Sequence, residues 1–484
     1  MRMDRHELRK FHSKISGVIM GNVSSSANPP VSAMSEGKLN ISGLPDSTKV
    51  FKTSVAESAV KDLTFTDAEL AIIRDAFKDQ MHRGWSSGQG IGASSELSSL
   101  KMISSHINIL PNGDEKGVFF AVDLGGTNLR VLRVTLSDGK SSVREFREAI
   151  PSRVTSPNAS ASTLFDFIAD ACAQLCIDIL PDSPPMPLGF TFSFPCSQTS
   201  IRSGRLLEWT KGFETSGCVG EDPVALLQAS LDKKKVPLSV DAICNDTVGT
   251  LMTNAYTKRS KYCRIGVILG TGTNAAYSDP DLGNLIINIE WGGFNKLPRR
   301  TKWDIQVDEE SPNKGKQFLE KMVSGLYLGE IFRLAAIDTL GNKLTAADKF
   351  HQPHAIETAD ISNLLMYGPS HSELFASLDT PTVEGLVKIA DAVIERSAAV
   401  AAVALAAVVA KATAGEPTRR CEVGIDGSVY TKCHKYKERL MKHLNQHLPG
   451  GEEEIVLDFS EDGSGLGAAL VAAAISRGRQ ISDM

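Results

Sequence analysis

The residues whose types and spacing are best suited to chemistry lie at 118–134. Both flanks of this run are rich in β-branched and aromatic residues, as strands are, and Gly125 and Gly126 separate them. Glycines carry no Cβ atom, so successive backbone N–H groups can form a concavity that binds an anion. Asp123 comes just before the glycines, and a Mg²⁺ ion between this carboxylate and a phosphate would relieve their repulsion. The pattern predicts a β-hairpin that holds phosphate, although a plain hairpin turn explains the same local sequence.

A second glycine-rich run, with Gly270 and Gly272, follows another apolar strand pattern. These glycines also match a loose dinucleotide-binding fingerprint, with Glu290 at the expected distance for a ribose-binding acid. That fingerprint requires a helix directly after the glycines, whereas this sequence has a turn at 276–283 and a further strand pattern at 285–289. We therefore favour a second phosphate-binding hairpin.

Polar residues follow three further strand or turn patterns. Ser193 stands at the exit of a strand with strict alternation, and Thr210 and Lys211 lie in a glycine-marked turn. Asn245 and Asp246 directly follow a third strand. Open α/β sheets bind ligands at the carboxyl ends of their strands, and these residue types suit a polyhydroxylated ligand from which Asp246 could accept a proton. Taken singly, turn chemistry or helix N-capping explains each of them equally well.

Composition narrows the class of protein. The chain has 484 residues, is 42% hydrophobic and 23% charged, and carries a net charge of −5, which is ordinary for a globular protein and gives no reason to expect nucleic-acid binding. Its 8 cysteines form no Cys-x-x-Cys pair, so we expect buried, reduced thiols in an intracellular protein. The longest apolar run, 398–410, is shorter than the roughly 20 residues of a membrane span. It indicates the buried middle of a helix that begins near Thr380 and ends by Gly415.

The N-terminal part differs from the rest. Residues 21–50 are rich in Ser, Pro and Gly, a composition that favours disorder. If translation began at Met20, Gly21 would be exposed for myristoylation, and a single acyl chain binds membranes only weakly. We expect a cytoplasmic protein. Weak membrane association is expected only of a form that starts at Met20 and is myristoylated on Gly21.

Two phosphate hairpins, each followed by strands and helices, suggest two related lobes that clamp a nucleotide. The sequence resembles the eukaryotic hexokinases from residue 101 to residue 474. The resemblance is carried by nine motifs in family order: DLGGTNLRVLRV, LGFTFSFPC, WTKGF, NDTVGT, GTGTNA, EWGGF, NKGKQFLEKMVSGLYLGEI, IDGSVY and EDGSGLGAAL. A bacterial ROK-type sugar kinase would not carry WTKGF and FSFP together.

The resemblance implies an α/β protein with the actin-like ATPase (ribonuclease H-like) fold, in which a cleft separates a small and a large domain. The implied divisions are a flexible tail at 1–60, a helical part of the large domain at 61–107, the small domain at 108–245, the large domain at 246–468, and a C-terminal helix at 469–484 that returns to the small domain.

The implied activity is ATP- and Mg²⁺-dependent phosphorylation of the 6-hydroxyl of glucose and related hexoses, the first step of glycolysis. Asp246 would be the general base, and Lys211 would lie near both the sugar and the transferred phosphoryl group. Sugar binding would close the cleft and exclude water. The implied sugar-binding residues are Ser193, Thr210, Lys211, Asn245, Asp246, Asn274, Glu290 and Glu320. The implied nucleotide-binding residues are Asp123, Leu124, Gly125, Gly126, Thr127, Asn128, Thr271, Gly325, Gly427 and Ser428.

The remaining expectations concern partners. Mg²⁺ would arrive with ATP, with no direct protein ligand beyond Asp123 near Mg–ATP. The partners would be hexoses and ATP, without nucleic acid and without an integral membrane segment, and a homo-oligomer is compatible with the sequence. Some hexokinase relatives act as sensors without catalysis, but the presence of Asp123, Lys211, Asp246 and both hairpins argues against that class.

Overall fold

The structure is a computed structural model that describes residues 55–86, 97–179, 183–344, 348–415, 420–448, 454–460 and 463–482. Residues 1–54, with most of the predicted tail and with Met20 and Gly21, lie outside the described residues. The predicted end of the tail at residue 60 falls inside a helix that begins at Val55. This helix forms because its apolar face, which includes Ala59 and Leu63, is buried in the protein core.

Thirteen strands are described. In chain order they are β1 (Ile103–Ser104), β2 (Gly117–Leu124), β3 (Asn128–Ser137), β4 (Lys140–Ala149), β5 (Met186–Phe192), β6 (Cys196–Ser200), β7 (Ser203–Leu206), β8 (Leu238–Cys244), β9 (Cys263–Leu269), β10 (Thr273–Asp279), β11 (Leu285–Asn288), β12 (Arg420–Asp426) and β13 (Glu454–Phe459).

Fifteen α-helices are described. In chain order they are α1 (Val55–Leu63), α2 (Asp67–Ser86), α3 (Ser152–Thr155), α4 (Ala161–Gln174), α5 (Pro223–Lys234), α6 (Asp246–Lys258), α7 (Lys302–Glu310), α8 (Phe318–Val323), α9 (Gly325–Leu340), α10 (Thr358–Tyr367), α11 (Glu373–Ala376), α12 (Thr380–Ala412), α13 (Ser428–Lys432), α14 (Tyr436–His447) and α15 (Gly463–Ser482).

Two sheets repeat one strand plan. The five-stranded sheet has the order β4-β3-β2-β5-β8, and the six-stranded sheet has the order β1-β11-β10-β9-β12-β13. In each sheet three consecutive strands form an antiparallel meander, and two later strands add in parallel beside the first strand of that meander. The repetition confirms the prediction of two related lobes. We name the five-stranded sheet with α4 and α5 the small lobe, and the six-stranded sheet with α12 and α14 the large lobe.

Both predicted hairpins are present. The turn at 125–127 joins β2 to β3, and the turn at 270–272 joins β9 to β10. The apolar residues of β2 are almost all buried because α15 covers one face of the strand and the small-lobe core covers the other. A strand rather than a helix follows the second glycine turn, which excludes the dinucleotide-binding alternative.

The long helix α12 lies at the centre of the large lobe. The Asp379 side chain caps it by accepting a hydrogen bond from the backbone N–H of Thr382 at 2.8 Å, and Pro381 lies in the first turn. The predicted start near Thr380 is therefore confirmed. Of the described helices, α12 is long and apolar enough to cross a membrane, but 94% of its apolar window is buried inside the protein. It is a core helix of this fold. All eight cysteines are buried as well, as predicted.

The C-terminal helix α15 begins at Gly463, earlier than the predicted start at residue 469. A Cβ atom on Gly467 would stand 2.1 Å from the carbonyl oxygen of Gly249 in α6, and one on Gly189 in β5 would stand 1.9 Å from that of Ala468. The backbones of α6, α15 and β5 are therefore in direct contact, and this packing outweighs the weak helix propensity of the glycine-rich sequence. Because α6 begins at Asp246, the contact fixes the position of that residue.

A buried ion pair connects α12 to α7. The Arg396 guanidinium donates to both carboxylate oxygens of Asp304 at 2.8 Å, and the two side chains are 1% and 4% exposed. Asp304 also accepts hydrogen bonds from the backbone N–H and hydroxyl of Thr301 at the start of α7. Removal of one partner would leave the other charge buried without compensation.

We expect Arg396→Met to lower the free energy of unfolding by about 3–5 kcal/mol. The double variant R396M/D304N should recover most of this loss, because Asn can still accept from Thr301 and no buried charge remains. Urea denaturation of the wild type and both variants measures the effect. A loss below about 1 kcal/mol in the single variant, or no recovery in the double variant, would show that the pair does not hold α7 as described.

Candidate active site

One cavity between the two sheets brings together all eight residues predicted to hold the sugar. Their elements converge from both lobes, since Ser193 follows β5, Asn245 follows β8, Asn274 lies in β10 and Glu320 lies in the first turn of α8. Five further residues line the cavity that the sequence analysis did not assign to the sugar, Gly272 having been named there only as part of the second hairpin: Pro195, Ile268, Gly272, Thr273 and Gln317. Three of these, Gly272, Thr273 and Gln317, lie within the GTGTNA and NKGKQ motifs, which could have identified them.

Asn245 and Asp246 lie at the start of α6. The alternative interpretation of these residues, that they cap the N-terminus of a helix, is therefore also correct. The Asn245 side-chain oxygen accepts from the backbone N–H and the hydroxyl of Thr247 at 3.0 and 2.6 Å, and from the Asn274 amide at 3.2 Å. Asp246 accepts from the same N–H at 2.9 Å, and its other carboxylate oxygen faces the Lys211 ammonium at 3.9 Å. The Asp246 carboxylate therefore lies between the first backbone N–H groups of α6 and the Lys211 ammonium.

Lys211 is held in a rigid turn. Its ammonium donates to the carbonyl oxygen of Ser193 at 2.8 Å and lies 5.6 Å from the centre of the Phe194 ring. Phe194 packs against Trp209 with ring centroids 4.8 Å apart, and the Trp209 indole N–H donates to the carbonyl oxygen of Thr215 at 2.8 Å. The aromatic contacts therefore fix the turn from which Lys211 projects.

Three lining residues have unusual backbone conformations. Lys211, Glu290 and Gln317 have φ angles of 56°, 57° and 56°, in the left-handed region that few residues other than glycine adopt. Such strain persists only where the surrounding structure enforces it, and it is concentrated at functional sites. Its repetition around a single cavity indicates that this cavity is functional.

Two half-buried carboxylates, Glu290 and Glu320, form the large-lobe wall of the cavity. Glu290 accepts from the Asn288 amide at 2.9 Å and from the Asn274 amide at 3.4 Å, and Glu320 accepts from the backbone N–H of Thr273 at 3.1 Å. Burial raises the pKa of both carboxyl groups above their ordinary value. The positive charge of Lys101 opposes the increase at Glu290, and that of Lys211 opposes the increase at Glu320.

A buried lysine positions the segment that carries Glu320. The Lys321 ammonium donates to Asp308 at 2.6 Å and to the backbone carbonyls of Asn313 and Lys316 at 3.0 and 2.9 Å. Because Asp308 lies on α7, the Arg396–Asp304 pair and the Lys321–Asp308 pair together connect the core helix α12 to the loop before Glu320.

The first hairpin turn lies directly beside Lys211. A Cβ atom on Gly126 would stand 3.3 Å from the Lys211 Cβ, so a side chain at this position would crowd Lys211. The backbone N–H of Gly125 donates to the carbonyl oxygen of Asn128 at 3.2 Å, and the Asn128 amide donates to the Thr127 hydroxyl at 3.0 Å. The Leu124 side chain is fully buried, so this predicted nucleotide-binding residue can offer a ligand only its backbone.

Acidic residues lie behind this turn. Asp123 is buried and accepts from the Ser464 hydroxyl at 2.8 Å, with the Arg130 guanidinium at 3.6 Å. Burial raises the pKa of Asp123, and Arg130 opposes the increase. The sequence analysis did not identify Asp426 at the end of β12, where burial, with the charges of Asp123 and Asp246 nearby, raises the carboxyl pKa to about 6. The IDGSVY motif contains this residue and could have identified it.

The second hairpin separates the first cavity from a second one. Gly272 lines the first cavity, whereas Thr271 lines the second together with Gly325 and Ser428. The backbone N–H of Gly325, at the start of α9, donates to the carbonyl oxygen of Gly270 at 2.8 Å. Gly427 has φ 123°, and a Cβ there would stand 2.3 Å from the carbonyl oxygen of Leu269. The predicted nucleotide-binding residues of the large lobe therefore surround the second turn.

Within the part of the chain that the structure describes, no group of three or more His, Cys, Asp or Glu side chains is arranged to hold a metal ion. The carboxylates of Asp123 and Asp426 nevertheless provide oxygen donors of the type that Mg²⁺ prefers.

Comparison with known proteins identifies the family of the chain. Two family models, both described as hexokinase, match residues 55–256 and 264–474. Hexokinase-7 of Oryza sativa subsp. japonica is 40% identical over 422 residues, covering 78% of this chain and 89% of that relative. Hexokinase-4, chloroplastic, of the same species is 36% identical over 474 residues, covering 88% of this chain and 90% of the relative.

A solved structure shows the same architecture. The hexokinase from Schistosoma mansoni complexed with glucose superposes with a TM-score of 0.76 at 32% sequence identity, covering 87% of this chain and 99% of that chain. The predicted α/β, actin-like sugar-kinase fold is thereby confirmed. The family models, the curated relatives and the solved structure agree, and the chain belongs to the hexokinase family.

Proposed function

We propose that this chain transfers the γ-phosphoryl group of ATP to the 6-hydroxyl of glucose and related hexoses. The observation that carries the proposal is the convergence of both hairpin turns on Lys211. A Cβ on Gly126 would stand 3.3 Å from Lys211, and one on Gly272 would stand 3.8 Å from its Cε atom. Because Lys211 also faces Asp246 at 3.9 Å, a single side chain lies between two phosphate-binding turns and a candidate base.

The cavity suits a sugar because it offers both donors and acceptors for hydroxyl groups. Carboxylates accept, ammonium groups and amides donate, and hydroxyls do both, which allows several sugar hydroxyls to be bound at once. We propose that Ser193, Thr210, Lys211, Asn245, Asp246, Asn274, Glu290 and Glu320 bind the hexose. The Schistosoma mansoni hexokinase structure is a complex with glucose, which supports this choice of sugar class.

Asp246 would accept the proton of the 6-hydroxyl as the sugar oxygen attacks the γ-phosphorus of ATP. The bond from phosphorus to the bridging oxygen then breaks, and ADP leaves. Lys211 would balance the negative charge between the sugar and the transferred group. A positioned general base contributes about 10²–10⁴-fold in rate, and phosphoryl transfer depends mostly on alignment and charge neutralisation.

ATP would bind with its phosphates on the turn at 125–128 and against Thr271, and with its adenosine towards Gly325, Gly427 and Ser428. Mg²⁺ bound with ATP would neutralise phosphate charge, and Asp123 would hold that ion, with Asp426 nearby. The Arg130 guanidinium lies 3.6 Å from the Asp123 carboxylate. Its positive charge would reduce the repulsion between Asp123 and the phosphates of ATP.

Closure of the cleft would protect the reaction from water. We propose that the small domain at 108–245 and the large domain at 246–468 approach each other when sugar binds, with the junction at Asn245 and Asp246 as the hinge. We also propose a cytoplasmic location, although one rice relative is named as chloroplastic.

We expect Asp246→Asn to lower kcat by about 10²–10⁴-fold while glucose still binds, because the variant loses the base but keeps the shape of the site. A coupled assay for glucose 6-phosphate gives kcat, and tryptophan fluorescence gives the glucose Kd. The matched control is Asp281→Asn, which alters an exposed carboxylate paired with Lys411 on the large lobe. More than half of wild-type activity in D246N would refute the role of Asp246.

Glucose affinity should fall as the pH is lowered, starting above the ordinary glutamate pKa of 4.5, because burial raises the pKa of Glu290 and Glu320. Protonation converts a carboxylate oxygen that accepts a hydrogen bond from a sugar hydroxyl into an O–H group that donates one. Glucose titrations by fluorescence between pH 4.5 and 8 measure the profile. The double variant E290Q/E320Q should bind more weakly at neutral pH and with a flatter profile; a wild-type profile in this variant would contradict the assignment.

The same half-buried carboxylates should destabilise the ligand-free protein at neutral pH. The pKa of Glu290 is higher in the folded protein than the ordinary value of 4.5. The contribution of this group to the free energy of unfolding is therefore fully present below pH 4.5. It is lost as the pH rises through the folded-state pKa. Glu290→Gln should therefore raise the Tm at pH 7.5 by on the order of 2 °C, and less at pH 5. Calorimetry measures the shift, with the exposed Glu384→Gln as control. An equal or lower Tm at pH 7.5 would contradict the expectation.

A further inference from the structure

Three ionic side chains beside the sugar cavity have no role in the mechanism above. The Glu208 carboxylate accepts hydrogen bonds from the Lys101 ammonium at 2.8 Å and from the Lys316 ammonium at 2.6 Å, one on each oxygen. These residues are 107 and 108 positions away from Glu208 in sequence. We name this arrangement the Glu208 bridge.

The bridge joins the two lobes. Glu208 stands between Leu206 and Phe213, which are both buried in the small-lobe core. Lys101 precedes Met102, which is buried in the large-lobe core. Lys316 belongs to the loop that Lys321 holds against α7. The carboxylate is therefore anchored on one side of the cleft and both ammonium groups on the other.

The bridge also connects two segments that line the cavity. Glu208 lies two residues before Thr210 and three before Lys211, whereas Lys316 directly precedes Gln317 and lies close to Glu320. The separation of these two segments determines whether small-lobe and large-lobe groups can contact one hexose at the same time. The Glu208 bridge is an ionic contact that spans this separation.

We propose that Glu208 is a positioning residue whose bridge to Lys101 and Lys316 favours the closed cleft and thereby tightens hexose binding. This inference rests on the proposed hexose phosphorylation. Glu208 touches neither of the reacting groups, and it acts through the turn that carries Thr210 and Lys211.

The electrostatics fit such a role. Burial favours the neutral form of Glu208, yet the charges and hydrogen bonds of Lys101 and Lys316 hold its pKa below the ordinary value, so the carboxylate is charged at neutral pH. The Glu208 and Lys101 side chains are 29% and 28% exposed, and Lys316 is 62% exposed. Partly exposed ion pairs add little to global stability and weaken in salt. The bridge should therefore affect cleft closure, with strong salt dependence, and hardly affect unfolding.

The test uses Glu208→Gln in the full chain. We expect the KM for glucose to rise roughly three- to tenfold, with kcat and the KM for ATP within about twofold of wild type and an unchanged Tm. In wild type the KM for glucose should rise as NaCl increases from 50 to 500 mM, and this dependence should be largely lost in E208Q. Glu208→Asp, which keeps the charge, should retain part of the salt dependence.

Two further variants separate the bridge from general surface charge. Lys316→Met combined with E208Q should raise the KM for glucose no more than E208Q alone, because both changes break the same contact. Glu309→Gln removes a carboxylate that faces Lys314 at 3.7 Å on the same side of the cleft, so it should leave the KM for glucose unchanged.

The outcomes are distinguishable. If wild type forms no hexose phosphate, the proposed function itself fails. If wild type is active but E208Q keeps the wild-type KM for glucose and its salt dependence, the bridge has no role and the inference is overturned. Equal increases in the KM for glucose and the KM for ATP, together with a lower Tm, would assign Glu208 a general structural role and would also overturn it.

Discussion

The constraint on which the rest of the site depends is the partial burial of three carboxylates around one lysine. Asp246, Glu290 and Glu320 all line the cavity with Lys211, which is the cation among the described lining residues. Burial raises the pKa of Glu290 and Glu320, so the carboxylates of this cavity depend on nearby hydrogen-bond donors and positive charge. The rigid Lys211 turn, the amides of Asn274 and Asn288 and the N-terminus of α6 supply those donors. A neutral polyol that presents several hydroxyl groups complements such a wall better than an anion does.

The scaffold positions these charges by contacts that do not touch the cavity. Core helix α12 holds α7 through Arg396 and Asp304, α7 holds the loop at 313–316 through Asp308 and Lys321, and that loop leads into Glu320. On the other side, the glycine contacts of α15 with α6 and β5 fix the start of α6 and thereby Asp246. The small-lobe aromatic cluster fixes Lys211. Catalytic alignment therefore depends on packing in both lobes and on the separation that the Glu208 bridge influences.

Much of this could be predicted from local sequence. Both hairpins and the long helix follow from apolar patterns and glycines, and the motif order identified the lining residues because the family keeps them in sequence. The implied domain boundary at residue 469 lies inside α15, because the glycine-rich start of this helix packs directly against α6 and β5. Asp426 and Gln317 lie within the family motifs but were not singled out there, whereas Glu208 was missed because its partners Lys101 and Lys316 are 107 and 108 positions away in sequence. The roles of the site residues remain predictions.

The most direct measurement is the product formed by the purified chain with ATP, Mg²⁺ and glucose, identified by NMR and compared with mannose, fructose and sugar-free controls. The account predicts sugar-dependent ADP release, a phosphate on the 6-hydroxyl, and loss of both when EDTA removes the metal ion. Glucose binding without any phosphorylated product would contradict it and would indicate a sensor that has kept the fold of the family and its sugar site without the chemistry.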